Sequence, residues 1–127
     1  MLIGQIVNDS LNEQIGYEFS ASLQYVAIAA YFEVEGLIEL ADLFHQQSDE
    51  ERAHAMRIVK YVTDAGGKLL IPAIPAPRAN FTDACDAIAL SLESEQTVTQ
   101  QINSLVNLAI SEGDHITQNM LSWFVAE

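Results

Sequence analysis

The sequence predicts an all-α protein, a four-helix bundle with one long crossover between its second and third helices. Three observations predict it. Four stretches repeat their apolar residues at helical spacing, and none alternates as a strand would. The first and last connections are tight and glycine-containing, whereas the middle one is long and carries three prolines. Half of the 127 residues are hydrophobic, enough to bury a core without disulfides or a structural metal.

The first helix is expected over residues 3–33, the second over 38–65, the third over 81–110 and the fourth over 114–127, all in one domain spanning 1–127. Gly36 separates the first two, and Gly66-Gly67 stops the second. In KLLIPAIPAPRAN the prolines exclude a helix. Asp83 or Thr82 is placed to cap the third helix and Asp114 the fourth. Tight turns make neighbouring helices antiparallel. The middle segment, at about 3.3 Å per extended residue, is long enough to run the length of the bundle. A plain up-down-up-down bundle with a loose loop fits less well, because Leu69, Leu70, Ile71 and Ile74 are expected to pack. Thirty helical residues span about 45 Å, whereas the fourth segment spans about 21 Å. The expectation is a fourth helix that either continues beyond Glu127 or leaves one end of the bundle open.

Charge narrows the function. Eighteen acidic residues against five basic ones give a formal net charge of -13, the wrong sign for a phosphate backbone or an anionic bilayer. No nucleic acid or membrane partner is expected, and no apolar run is long enough to span a bilayer. The start, MLIGQIVNDSLNEQ, lacks the basic and small-residue features of an export signal. Cys85 is the only cysteine, which excludes an intrachain disulfide or a cysteine-based zinc site and fits the cytoplasm.

Rotating each helix by 100° per residue puts three carboxylates on apolar faces. Glu18 lies among Leu11, Ile15, Ser22, Tyr25, Ala29 and Phe32. Glu51 lies among Leu40, Phe44, Ala55, Ile58 and Val62, with His54 one turn on. Glu95 lies among Ile88, Leu92, Val98, Ile102 and Val106. Three buried, unpaired carboxylates would cost more than the roughly 5–15 kcal/mol that holds a domain together. The bases Arg52, Arg57, Lys60, Lys68 and Arg78 fall off these inner faces, so a multivalent metal is the remaining neutraliser. Carboxylates with one imidazole suit iron or manganese. A di-iron bundle takes one Glu from each of two helices and a Glu-x-x-His, or an equivalent, from each of the others. Glu18 and Glu95 supply the single acids and Glu51/His54 one pair; the second pair is expected from the fourth helix. Taken singly, each of these residues has an ordinary structural reading. Trp123, Phe124 and Met120 read as packing, and His45 and His115 as surface residues.

These residues resemble the ferritin family, and within it the prokaryotic non-haem ferritins. The resemblance covers the whole chain and is carried by LNEQIGYEFSASLQYVAIAAYFEVEG, HQQSDEERAHAMRIVKYVTDAGG, ESEQTVTQQI and DHITQNMLSWFVAE. It implies a ferritin-like four-helix bundle, ferroxidase activity with Fe(II) and oxygen or peroxide as substrates, and iron storage inside a 24-subunit homo-oligomeric cage. By resemblance, Glu18, Glu51 and His54 hold the first iron, and Glu51 bridges to a second held by Glu95. Glu50 and Glu127 belong to a third, accessory iron site, with Tyr25 and Trp123 beside the centre. No haem is expected, because Arg52 stands where a haem-binding methionine would. A cysteine-rich iron module is excluded by the cysteine count. The competing expectations are an assembly protein with impaired oxidation, or another di-metal carboxylate oxidase.

Overall fold

In the computed structural model, which describes residues 3–126, the chain forms α1 (Gln5–Val34), α2 (Ile38–Asp64), α3 (Ala84–Ser111) and α4 (His115–Ala126). The all-α bundle with a long α2–α3 crossover is the fold observed. Three of the helix ends share one device. Gly36, Gly66 and Gly113 adopt φ of 77°, 74° and 67°. The amide of the next residue then reaches back, Leu37 to Phe32 O, Gly67 to Val62 O and Asp114 to Ala109 O, at 2.8 Å in each case.

Helix starts follow side-chain caps where these exist. Asp83, not Thr82, caps α3: its backbone is extended and its Oδ1 accepts the Asp86 amide at 2.8 Å. That cap moves the start of α3 to Ala84, three residues later than periodicity suggested. Phe81 instead packs edge-on against Tyr31, with the Arg78 guanidinium over its ring. Asp114 receives both the amide and the hydroxyl of Thr117, at 2.9 and 2.7 Å.

α1 organises the bundle, packing on α2 on one side and α3 on the other. A pair of serines fixes its approach to α2. Ser22 Oγ donates to Ser48 O and Ser48 Oγ to Ser22 O, both at 2.8 Å. α4 packs on α3 and is tied to α2 by the Tyr61–Thr117 hydroxyl pair at 2.7 Å.

The crossover is anchored to α1 at both ends. Asn8 and Asn12, both buried on α1, donate to Lys68 O and accept the amides of Lys68 and Leu70. Twelve residues further along α1, Gln24 exchanges two 2.9 Å hydrogen bonds with the Arg78 backbone. Between them the crossover segment lies close over Gly16, where an added Cβ would sit 2.5 Å from Pro72 Cγ. The expected packing of its apolar residues holds in part. Leu69 and Ile74 are half-buried, while Leu70 and Ile71 are exposed.

The core comes in two parts. One joins Val7, Leu11 and Ile15 of α1 to Ile58, Val62, Leu105, Ala109 and Leu121. The other joins Ala21, Tyr25, Ile28 and Phe32 to Ala41, Phe44 and Ala87. On α1 the seam between them falls at Glu18. There the bundle is polar at mid-height.

The α3 face corrects a sequence reading. Ile88 and Leu92, expected inside with Glu95, are exposed, and so is Glu95. At 1.5 Å per residue, the twelve residues of α4 span about 18 Å beside an α3 of about 42 Å. Phe124 and Val125 reach the level of Val98 and Thr99. The first half of α3 lies beyond the described part of α4.

Candidate metal centre

Glu18 of α1 and Glu51 and His54 of α2 meet at the seam. One ligand atom from each lies within 4.8 Å of the other two, the one such group of acids and histidines among the described residues. His54 Nδ1 stands 3.8 Å from Glu18 Oε2 and 3.6 Å from Glu51 Oε2. Those separations are long for hydrogen bonds. They suit atoms sharing one ion, since bonds of about 2.1 Å place neighbouring ligand atoms roughly 3–4 Å apart. Both facing oxygens, Glu18 Oε2 and Glu51 Oε2, are buried without a hydrogen-bond partner among the described residues. The other Glu18 oxygen is held: Gln14 Nε2 donates to Oε1 at 3.3 Å. The donor set therefore fits a divalent or trivalent cation by chemistry as well as by spacing.

The electrostatics agree. Burial pushes the Glu18 carboxyl up to about 7, and the neighbouring Glu51 carboxylate adds to the rise while His54 opposes it. Burial acts on Glu51 in the same sense, but His54 and Glu18 together hold it below the usual carboxylate range. The two carboxyls are thus shifted in opposite directions, as expected for two acids sharing one site. Tyr25 is fully enclosed. Burial raises its phenol, and the fields of Glu95, Glu51 and Glu18 raise it further.

A cavity of about 480 Å³ opens onto the trio, lined also by Glu50, Glu95, Thr99, Asn103 and Phe124. Glu95 faces this space from α3 but stands outside the trio, exposed where the sequence reading had it enclosed. Glu50 is exposed at the rim. Glu127 lies outside the described residues. Trp123 and Phe124 pack edge-on against His54, and His45, at the surface, pairs with Glu33 at 2.8 Å.

Two contributors escaped the sequence reading. Gln14 is one turn before Glu18, and an i, i+4 Gln–Glu pair on one helix face was the available signal. Arg57, set aside for falling off the inner face, lies over Trp123.

Comparison with known proteins places this geometry. A ferritin-like domain model matches residues 8–127. Ferritin BfrB of Mycolicibacterium smegmatis is 44% identical over 117 residues, covering 92% of this chain and 65% of the relative, so the chain spans just under two thirds of that protein. A bacterial non-heme ferritin of Staphylococcus saprophyticus is 37% identical, covering 94% of this chain and 71% of the relative. Among solved structures, an open-pore ferritin from the archaeon Archaeoglobus fulgidus superposes with a TM-score of 0.95 at 32% identity, over 98% of this chain and 76% of that one. The ferritin of Chlorobium tepidum gives 0.94 at 28%, with the same coverage. With a family model matched over nearly its whole length and the bundle of those relatives, the chain belongs to the ferritin-like domain family.

Proposed function

We propose that the chain takes up Fe(II) between Glu18, Glu51, His54 and Glu95, oxidises it to Fe(III), and stores the product in a homo-oligomeric cage in the cytoplasm. The observation that carries the proposal is the pair of buried, unpartnered carboxylate oxygens facing one imidazole nitrogen. Iron is the substrate here, held by carboxylate oxygens and one imidazole nitrogen. Glu51 belongs to the trio and also lines the open cavity, and in this reading it touches both ions. Anionic oxygen ligands stabilise the harder Fe(III) over Fe(II) and so favour loss of the electron. Two Fe(II) supply two electrons, and oxygen that accepts them with two protons leaves as peroxide. Glu50 at the rim, with Glu127, is proposed to hold a third ion on the way in or out. The excess of negative charge concentrates cations at the surface. The cytoplasmic setting rests on the single cysteine, and no described helix is long and apolar enough to cross a membrane.

One observation favours a second reading. Glu95 stands apart from the trio, so the chain holds one ion firmly, the other weakly, and oxidises iron slowly. Anaerobic Fe(II) titration of the metal-free protein, followed by admission of oxygen, separates the two. Saturation near two Fe(II) per chain and rapid growth of Fe(III) absorbance support the first reading, and saturation near one supports the second. Absence of saturable uptake refutes both. Replacing Glu51 by Ala should abolish tight binding altogether, and assembly mass measured on the same samples tests the cage.

A further inference from the structure

The metal trio is walled on its α4 side by aromatic rings. His54 meets Trp123 with ring centroids 5.6 Å apart and planes at 85°, and Phe124 at 5.6 Å and 77°. The two α4 rings are themselves perpendicular, 4.9 Å apart. Over Trp123, 3.8 Å from its ring centroid, lies the guanidinium carbon of Arg57. Arg57 follows His54 by three residues, so the two side chains leave α2 on neighbouring rows and converge on one indole. A planar guanidinium over an indole is an attractive cation–π pair that lysine reproduces poorly. Lys60 and Arg78 pair with Asp64 and Asp86, whereas Arg57 makes no ion pair among the described residues and stacks on the ring instead.

From this arrangement we infer that Arg57 is a positioning residue for the metal centre. By clamping Trp123 of α4 against His54, it fixes the imidazole with Nδ1 toward Glu18 and Glu51. Metal affinity at a site made by α1 and α2 is thereby coupled to the docking of α4. The inference rests on the trio being a metal site.

Charge alone predicts the opposite effect. A guanidinium one turn from a cation site repels the incoming ion, so a residue acting only through its field would, on removal, tighten binding. A residue acting through position would, on removal, weaken it. The sign of the change separates the two. Phe124 remains against His54 when the clamp is lost, which sets the expected loss at about 10-fold, the lower end for outer contacts of a metal ligand.

The test uses Zn(II), which is redox-inert, titrated into the metal-free full chain against a competing indicator. Trp123 is the chain's only tryptophan, so its emission should change as the parent site fills. R57A should bind Zn(II) about 10-fold more weakly than the parent. R57K keeps the charge without the planar stack and should stay close to R57A. W123F should weaken binding to a similar degree, and R57A/W123F should be no weaker than W123F, because Arg57 acts through the indole. Equal or tighter binding by R57A overturns the inference, as does full rescue by R57K or additive losses in the double variant. Melting curves on the same samples separate lost binding from lost fold, and R57K carries the test if R57A does not fold. A parent that binds no Zn(II) saturably would instead remove the metal-site reading on which the inference stands.

Discussion

Replacing Glu18 by Gln should make the metal-free protein more stable above pH 7 while abolishing its stabilisation by metal. Glu18 is fully buried, and its Oε2 has no partner among the described residues. Burial raises its carboxyl from 4.5 in the unfolded chain to about 7. At about 1.4 kcal/mol per unit, ionised Glu18 costs the metal-free fold about 3 kcal/mol at pH 8. Because the folded value is the higher one, the native state binds more protons than the unfolded state between about pH 4.5 and 7. Stability therefore falls as pH rises through that window and levels off above it. Glu51 does not mask the effect. Its folded value is depressed, so its contribution is intact above its unfolded value and is lost only at lower pH. Glutamine keeps the shape, remains able to accept from Gln14 and carries no charge. Urea unfolding with chelator present, at one protein concentration and at pH 5 and pH 8, reads the difference. The parent should lose about 2.5 kcal/mol between the two, E18Q should lose little, and added Zn(II) should restore only the parent. An E18Q protein no more stable than the parent at pH 8, or one with the parent's pH slope, would refute the reasoning.

Two further predictions concern the scaffold. A Cβ at Gly67 would overlap Asn8 Oδ1 and press on Ile3 and Val62, so G67A should displace Asn8 from Lys68 and cost about 2–3 kcal/mol; an unchanged melting temperature would contradict this. S48A removes one of the two hydroxyl-to-carbonyl bonds joining α1 and α2 and should cost about 1 kcal/mol in urea unfolding, with a loss below a few tenths showing that the serines matter only for their size.

The bundle was legible because its signals are local. Periodicity sets the helices, the glycines end them, and Asp83 and Asp114 cap them within four residues of the amides they serve. The inward orientation of Glu18 was legible for the same reason, since α1 is covered on two sides and its apolar stripe marks a real interior. The same argument failed for Glu95. An apolar stripe shows which way a helix would face a neighbour, not what covers it, and the described part of α4 leaves Ile88 and Leu92 exposed. Buried Asn8 and Asn12 were equally illegible. Their partners are carbonyls and amides some sixty residues away, and no periodicity encodes a contact with extended chain. Arg57 was dismissed by a test that asks only whether a residue points inward, whereas its role is to lie across another side chain.

The anchoring of the crossover has a consequence for the candidate metal centre. Asn12 and Gln24 stand about 18 Å apart along α1, while the segment they hold, from Leu70 to Arg78, reaches about 26 Å when fully drawn out. Insertions here can bulge outward. Removing three residues leaves too little chain to satisfy both anchors. The crossover is thus a tether whose anchors on α1 fix where its end is held, and whose residue count need only exceed a minimum. A segment with no residue in the candidate metal centre thus bears on where α3, and Glu95 with it, begins beside Glu18.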